Sequence, residues 1–314
     1  MTSSTTATIW PADLLRVGDL TCVSLTELID LAACMKAEPD GWDCALAGQE
    51  LACIVEGSST DPRLSEAAAA HRLGMIPVPL RLDDLELDRR DRLADAARLM
   101  SSYASAVLAH NIAHDTLVRL AANASVPIIN AGSSGHHPCQ ALADLLTVRE
   151  HFGAVEGLTL AYLGAAGNIA RSLMEACALS GMHLRLACPP AHAPQPEDVF
   201  AAQLLADRHG GSAEAMVDPR EAVLGADVVY TAPWPDAVAR DADGLAALRA
   251  YQVDGKLMRA AGRGAVFMHC LPAHRGEEVA ATVIDGRRSA VWEQAANKLP
   301  AEQAVIYTLS TARA

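Results

Sequence analysis

Short apolar strands alternate with helical segments along this chain, and that alternation limits the fold more than any other feature of the sequence. The strand candidates, each bounded by turn residues, are 51–55, 106–109, 126–130, 158–163, 183–187, 228–231 and 265–269. The main helix candidates are 24–36, 61–73, 91–102, 115–122, 141–152, 169–179 and 291–298. Parallel strands need a crossover connection, which is usually a helix. The pattern therefore predicts an α/β protein with parallel sheets covered by helices on both faces.

Length, charge and cysteine usage narrow the class further. With 314 residues, the chain is long enough for two domains of about 150 residues each. The net charge of −13 argues against nucleic acid or an anionic membrane surface as the main partner. The eight cysteines include no C-x-x-C pair, which fits a reducing compartment and indicates neither a disulfide framework nor a metal site. Without a signal-peptide pattern or an apolar run near ~18 residues, we expect a cytoplasmic protein.

The densest group of reactive side chains lies at the end of the strand candidate 265–269. Proline at position 272 breaks the strand, and the group comprises His269, Cys270, His274 and Arg275. A single histidine or cysteine in such a place is more often a packing residue than a functional one. Four together, where open α/β sheets bind their ligands, predict a site.

Two further segments place polar groups at helix starts. His137-Pro138-Cys-Gln140 opens a long helix, in which the proline suits the first turn and His137 becomes the cap. The turn 164–168 resembles a nucleotide-binding loop, but the G-x-G-x-x-G spacing is absent and no acidic residue follows the strand 183–187. We therefore expect no cofactor. A small anion, such as an amino-acid carboxylate, suits the helix that starts at Asn168 better.

Several of these segments closely resemble the aspartate/ornithine carbamoyltransferase family, above all ornithine carbamoyltransferase. They are HPCQALADLLTV (137–148), GMHLRLA (181–187), ADVVYT (226–231) and HCLPAHRGEEV (269–279). The resemblance implies two Rossmann-like domains joined by interdomain helices. Residues 1–150, with a C-terminal helix at about 300–314, would form the carbamoyl-phosphate domain, and 151–299 the amino-acid domain. It also implies a homotrimer.

The donor side departs from the family pattern. The family's Ser-Thr-Arg-Thr-Arg loop corresponds here to residues 59–63, where Ser59, Thr60 and Arg63 are kept and Asp61 replaces an arginine that would grip phosphate. Two other arginine positions are occupied by His110 and Lys298. Charge-assisted bonds contribute roughly 1.5–3 kcal/mol each, so the changes predict donor binding weakened by roughly 100-fold to 10,000-fold. The resemblance is therefore to a diverged paralogue with an altered donor loop.

The resemblance also assigns roles around the transferred carbamoyl group. His137 would donate to the oxyanion, and Gln140 and the Leu271 carbonyl would hold the carbamoyl NH2. Cys270 would lie beside the attacking amine. A covalent role for this cysteine and a His/Cys metal site are weaker alternatives, because no adjacent base and no metal-ligand spacing are recognised.

The acceptor side is altered as well. The candidate acceptor-binding residues are Asn168, Trp234, Asp236, His269 and Arg275. The family's Asp-x-Trp after the strand 228–231 reads Ala232-Pro-Trp234 here, which removes a counter-charge for an ammonium group. Asp236 is the candidate replacement. The acceptor is thus predicted to be an amino-acid-like amine other than ornithine.

We expect an enzyme that transfers a carbamoyl or related group to such an acceptor, with carbamoyl phosphate as the candidate donor, in specialised metabolism. One alternative is different chemistry on the same scaffold without carbamoyl phosphate: acyl or ureido transfer, condensation or cyclisation. The other is a non-catalytic paralogue. The pair His137 and Gln140, with the full HCLPAHRGEE run, favours an enzyme.

Overall fold

The computed structural model describes residues 8–55, 60–81, 90–235 and 242–312, without the side chains of 60–63, 90, 91 and 242. The chain divides into two compact units, Met1–Ser133 with Leu299–Ala314, and Ser134–Lys298. We call them the first and the second unit. No helix in the described part of the chain has the length and apolar character needed to cross a lipid bilayer.

The first unit is built on a four-stranded parallel sheet in the order β2-β1-β3-β4. Its strands are β1 (Glu50–Val55), β2 (Ile76–Arg81), β3 (Ala106–Ile112) and β4 (Ile128–Ser133). Its helices are α1 (Cys22–Ala37), α2 (Thr60–Arg72), α3 (Arg90–Tyr103) and α4 (His114–Ala121). Apolar side chains of β1, β3, α3 and α4 form the core, among them Ile54, Leu93 and Leu117.

The second unit contains a five-stranded parallel sheet in the order β7-β6-β5-β8-β9. The strands are β5 (Thr159–Leu163), β6 (His183–Ala187), β7 (Ser212–Met216), β8 (Val228–Thr231) and β9 (Val266–His269). The helices are α5 (Pro138–Phe152), α6 (Asn168–Leu179), α7 (Pro196–Ala206), α8 (Pro219–Val223), α9 (Ala242–Leu248), α10 (Gly255–Ala260), α11 (Ala281–Ile284) and α12 (Val291–Ala312), the last of which continues into the first unit. The prediction of an α/β fold with parallel sheets is confirmed.

Four element boundaries differ from the sequence prediction. Helix α1 starts at Cys22 rather than at the predicted residue 24, because Thr21 caps it and Ser24 completes the capping box. Strands β3 and β4 extend past their predicted ends at 109 and 130 to Ile112 and Ser133, because they pair with each other there. Helix α12 continues through Pro300.

The two compact units divide after Ser133, and the domain boundary near 150 stays a prediction. The difference concerns α5, whose side chains bond within the second unit. Asp144 of this helix accepts hydrogen bonds from Tyr230 of β8 and Gln294 of α12. Gly153, with φ of 84°, then ends the helix by donating to Arg149.

Two neighbouring glycines allow a test of packing between α6 and β7. Gly181 and Gly210 both have positive φ, of 70° and 81°. A Cβ on Gly181 would lie 2.6 Å from the His209 carbonyl oxygen, whereas one on Gly210 would meet nothing within 4 Å. We expect Gly210→Ala to cost about 1–2 kcal/mol from backbone strain alone. Gly181→Ala should cost clearly more in urea unfolding; equal losses would contradict this packing.

Candidate active site

The carboxyl ends of β5, β8 and β9 define the candidate site in the second unit. Strand β5 pairs with β6 on one side and β8 on the other, so the strand order reverses there. Ligands of open α/β sheets bind at such a switch point. At this end of the sheet, the Thr231 hydroxyl of β8 donates to the Leu163 carbonyl of β5 at 2.7 Å.

His137 is the N-cap of α5, as the sequence predicts. Its Nδ1 accepts from the Gln140 backbone N–H at 3.4 Å, and its own backbone N–H donates to Ser172 Oγ at 2.8 Å. Because Nδ1 is the acceptor, the hydrogen-bond pattern assigns the proton of the neutral ring to Nε2. The buried imidazole can therefore offer one N–H to an oxyanion.

Gln140 belongs to a buried cluster that we call the Asp144 network, consisting of Gln140, Asp144, Tyr230 and Gln294. Gln140 Nε2 donates to Asp144 Oδ1 at 2.8 Å, and Gln294 Nε2 donates to the same oxygen at 2.7 Å. Tyr230 donates its hydroxyl to Asp144 Oδ2 at 3.0 Å. No described residue donates to the Gln140 amide oxygen, which remains an acceptor for a ligand.

Asp144 carries the most informative titration in the site. Burial raises the pKa of its carboxyl to about 7, although the hydrogen bonds from Gln140, Gln294 and Tyr230 lower it. Desolvation penalises the ionised form more strongly than the three donors stabilise it. Near neutral pH, a change in the protonation of Asp144 would therefore disturb the network.

The segment after β9, residues 269–275, is held in an unusual backbone conformation. Leu271 has φ of 56° and precedes a cis peptide bond to Pro272. The left-handed region is costly for a branched residue. Leu271 N–H donates to His269 Nδ1 at 2.9 Å, and His269 Nε2 lies 3.3 Å from Glu278 Oε1. The His269 ring and Glu278 thus hold the backbone that positions the Leu271 carbonyl.

Glu278 is the fully buried anchor of this segment. It also accepts from the His274 backbone N–H, and its second oxygen lies 3.7 Å from His274 Nδ1. Burial raises the pKa of Glu278, but the His269 ring and the His274 backbone N–H lower it more, so the pKa lies below its usual value. With Glu277 and His274, this carboxylate could reach a common metal ion, but His269 already engages it.

Cys270 is a protonated thiol at neutral pH. Burial raises its pKa to about 12, the nearby Asp144 charge adds to that shift, and Lys298 opposes it. A thiol of this kind can pack beside an amine, but it is a poor nucleophile because little thiolate is present. The structure therefore argues against the covalent alternative. It also places the buried Lys298 near Cys270 in the second unit.

Asn168 and Trp234 follow β5 and β8. Asn168 is the first residue of α6, and its Oδ1 accepts from the Ile169 N–H at 2.9 Å. The buried Trp234 ring packs against Ala165, with its Nε1 3.4 Å from the position of a Cβ on Gly164. This indole N–H has no hydrogen-bond partner among the described residues. Asp236 lies outside the described residues.

Two predicted acceptor residues are engaged elsewhere. His269 Nδ1 accepts from the Leu271 N–H and Nε2 lies against Glu278, so both ring nitrogens have neighbours within the protein that hold the backbone. Arg275 is exposed and forms a bidentate pair with Asp285, at 2.7 and 3.0 Å. This pair occupies the guanidinium, and the predicted contact of Arg275 with an acceptor stays a prediction.

In the first unit, the predicted donor cation His110 has an acidic neighbour. Its Nδ1 lies 3.5 Å from Oε1 of the buried Glu66 on α2. Burial raises the pKa of Cys53 to about 12, and the charges of Glu66 and Glu302 add to the shift. A buried carboxyl group therefore lies beside the position where the resemblance expects a phosphate-binding arginine.

Other predicted donor residues lie wholly or partly outside the described part of the chain. Ser59 is outside the described residues, and the same is true of the side chains of Thr60, Asp61 and Arg63, whose backbone begins α2. Their proposed contacts with a donor stay predictions.

Comparisons with known proteins agree with this architecture. Residues 12–150 match the aspartate/ornithine carbamoyltransferase carbamoyl-P binding domain, and residues 156–309 match the Asp/Orn binding domain of the same family. The chain belongs to the aspartate/ornithine carbamoyltransferase family. The resemblance drawn from the sequence segments is confirmed at this level.

Relatives of the family cover almost the whole chain. An ornithine carbamoyltransferase of Symbiobacterium thermophilum is 42% identical over 94% of this chain and 96% of the relative. The structure of ornithine carbamoyltransferase from Pyrococcus furiosus matches with a TM-score of 0.91 and 37% identity, over 96% of this chain and 97% of that one. The Gloeobacter violaceus enzyme matches with a TM-score of 0.86 and 35% identity, over 96% and 99%.

Four residues that shape the site were not predicted from the sequence. They are Asp144, Tyr230, Gln294 and Glu278. Asp144 follows Gln140 by four positions, which places both on one helical face, and an acid in a largely apolar helix is a usable signal. Glu278 stood inside the recognised motif. Tyr230 and Gln294 gave no signal, because their partners are distant in sequence.

Substitution of Asp144 should change how stability depends on pH. The pKa rises from 3.8 to about 7 on folding, so its stabilising contribution is present below about pH 4 and is lost as pH rises to 7. The nearby thiols of Cys177 and Cys270 have pKa values of about 12 and stay protonated throughout. In thermal melts, the melting temperature of Asp144→Asn relative to that of the wild type should therefore rise from pH 4.5 to 7. Above pH 7 the difference should stay constant. A difference that is already constant from pH 4.5 to 7 would contradict this titration.

Glu278 and its neighbour Glu277 provide a matched pair for testing the 269–275 segment. Glu278→Gln removes the buried charge beside His269 and should cost roughly 1–3 kcal/mol at pH 7. The exposed Glu277→Gln should change stability by less than about 0.5 kcal/mol. Because folding lowers the Glu278 pKa, the cost should shrink as pH falls below about 4.5. Urea unfolding measures the loss of unfolding free energy in both variants. Similar losses would contradict the role of Glu278 in holding the 269–275 segment.

Proposed function

We propose that this chain transfers a carbamoyl group to an amine of an amino-acid-like acceptor. The observation that carries the proposal is the arrangement of donor and acceptor groups in the second unit. His137 presents Nε2–H and Gln140 presents its amide oxygen at the start of α5. The family membership supports the same reaction class.

In this reaction the neutral amine attacks the carbamoyl carbon. The new N–C bond forms, the C–O bond to phosphate breaks, and the amine releases a proton to phosphate or water. His137 Nε2–H stabilises the developing oxyanion, a role in which one donor contributes roughly 100-fold to 1,000-fold to the rate. Gln140 Oε1 and the Leu271 carbonyl accept from the carbamoyl NH2, and the neutral Cys270 thiol lies beside the amine.

Carbamoyl phosphate is the proposed donor, bound more weakly than the family pattern implies. The match of residues 12–150 to the carbamoyl-P binding domain supports it. Asp61 in the donor loop and Glu66 beside His110 oppose it by charge. Those acids favour the second candidate, which is chemistry on the same scaffold with a donor that lacks phosphate.

The prediction of a particular kind of acceptor goes further than the family assignment does. Ala232 stands where the resemblance expects an acid for the ornithine ammonium group, and this supports another amino-acid-like acceptor. The relatives named ornithine carbamoyltransferase favour ornithine. Assays with both kinds of acceptor separate these alternatives. A homotrimer is the proposed assembly, which light scattering can check.

Activity assays test the proposal directly. With carbamoyl phosphate and a panel of amino acids that includes ornithine, the wild type should form a ureido product with at least one acceptor. His137→Asn keeps a capping side chain but removes the imidazole N–H, so kcat should fall by about 100-fold. His151→Ala, at the exposed end of the same helix, is the matched control and should retain activity.

Two results would contradict the proposal in different ways. Absence of product with every acceptor, from folded protein that binds no carbamoyl phosphate, would move the assignment to a donor without phosphate. Equal activity of His137→Asn and the wild type would remove the oxyanion role of His137.

A further inference from the structure

The Gln140 side chain can serve a carbamoyl group in only one of its two amide orientations. A glutamine amide has a carbonyl oxygen that accepts and an NH2 that donates. The carbamoyl NH2 donates hydrogen bonds and does not accept them. The Gln140 amide must therefore turn its oxygen toward this group. Something on the protein side must therefore bind the Gln140 NH2.

We propose that Asp144 is the positioning residue that fixes the Gln140 amide with its oxygen toward the transferred carbamoyl group. Its Oδ1 takes the Gln140 NH2 at 2.8 Å from the protein side. This role rests on the proposed function. Asp144 acts through Gln140 and does not touch the substrate.

The rest of the network keeps the carboxylate in place. Gln294 and Tyr230 donate to the two oxygens of Asp144, so rotation of its carboxylate would break both bonds. The group is fully enclosed, where an unmade hydrogen bond costs about 1–3 kcal/mol. Reversal of the Gln140 amide would direct its oxygen at the Asp144 carboxylate, which has no proton to give when ionised.

The same network connects Gln140 to the second acceptor of the carbamoyl NH2. Gln294 donates to Asp144 with Nε2 and accepts from the His269 backbone N–H with Oε1, at 2.8 Å. His269 in turn receives the Leu271 N–H on its ring. Asp144 and Gln294 therefore set the relative position of the Gln140 oxygen and the Leu271 backbone, which together recognise one NH2 group.

The test compares carbamoyl phosphate with acetyl phosphate, which has a methyl group in place of the NH2. Calorimetry at pH 8 and low salt, where Asp144 is ionised, gives both dissociation constants. The wild type should prefer carbamoyl phosphate. In Asp144→Leu, which matches the branching of the side chain but cannot accept a hydrogen bond, that preference should fall about ten-fold. Asp144→Ala serves if the leucine variant does not fold.

Two further variants separate positioning from stability. Asp144→Asn retains an oxygen for the Gln140 NH2 and should keep the preference. Thr147→Ala removes another buried bond between α5 and α12, since Thr147 Oγ1 accepts from Asn297 Nδ2 at 3.0 Å. It should lower the melting temperature without changing the preference.

The outcomes are distinguishable. An unchanged preference in folded Asp144→Leu, or an equal loss of preference in Thr147→Ala, would overturn the role of Asp144 while leaving the proposed function intact. Wild-type protein that binds neither ligand would overturn the carbamoyl phosphate assignment and, with it, this role.

Discussion

The candidate site depends on one buried carboxylate that receives three hydrogen bonds. Asp144 takes them from Gln140, Gln294 and Tyr230, which lie on α5, α12 and β8. An ionised group can remain inside a protein only if its lone pairs are occupied, and removal of its partners would leave a costly buried charge. The same bonds that stabilise Asp144 also set the Gln140 amide. In the proposed role of Asp144, stability and recognition are thus coupled through one side chain.

The two units differ in how much of the predicted site the described residues contain. In the second unit, the groups that would surround a carbamoyl group are present, and the Glu278–His269 pair holds the Leu271 backbone in its left-handed conformation. In the first unit, Glu66 lies beside the histidine that replaces an expected arginine.

Much of the fold could be predicted from the sequence because the local signals were strong. Apolar runs marked seven of the nine strands, and Pro138 placed the start of α5 correctly. Strand β2 was missed because its two prolines and exposed positions give no buried-strand pattern, and β7 was missed because only one of its residues is fully buried.

The candidate site could be predicted only where its residues are close together in sequence. Gln140, Cys270 and Leu271 stood in recognisable segments. The partners of Asp144 are 86 and 150 positions away, and no periodicity reports such a contact. His269 was placed among the acceptor residues because sequence shows a histidine at a strand end but not where its ring nitrogens point.

A crystal structure of the protein with carbamoyl phosphate bound at pH 8 would test the central claim most directly. The account predicts the carbamoyl nitrogen within about 3.2 Å of both Gln140 Oε1 and the Leu271 carbonyl oxygen, with the Gln140–Asp144 bond intact. A ligand held away from Gln140, or a Gln140 amide turned with its NH2 toward the ligand, would contradict it.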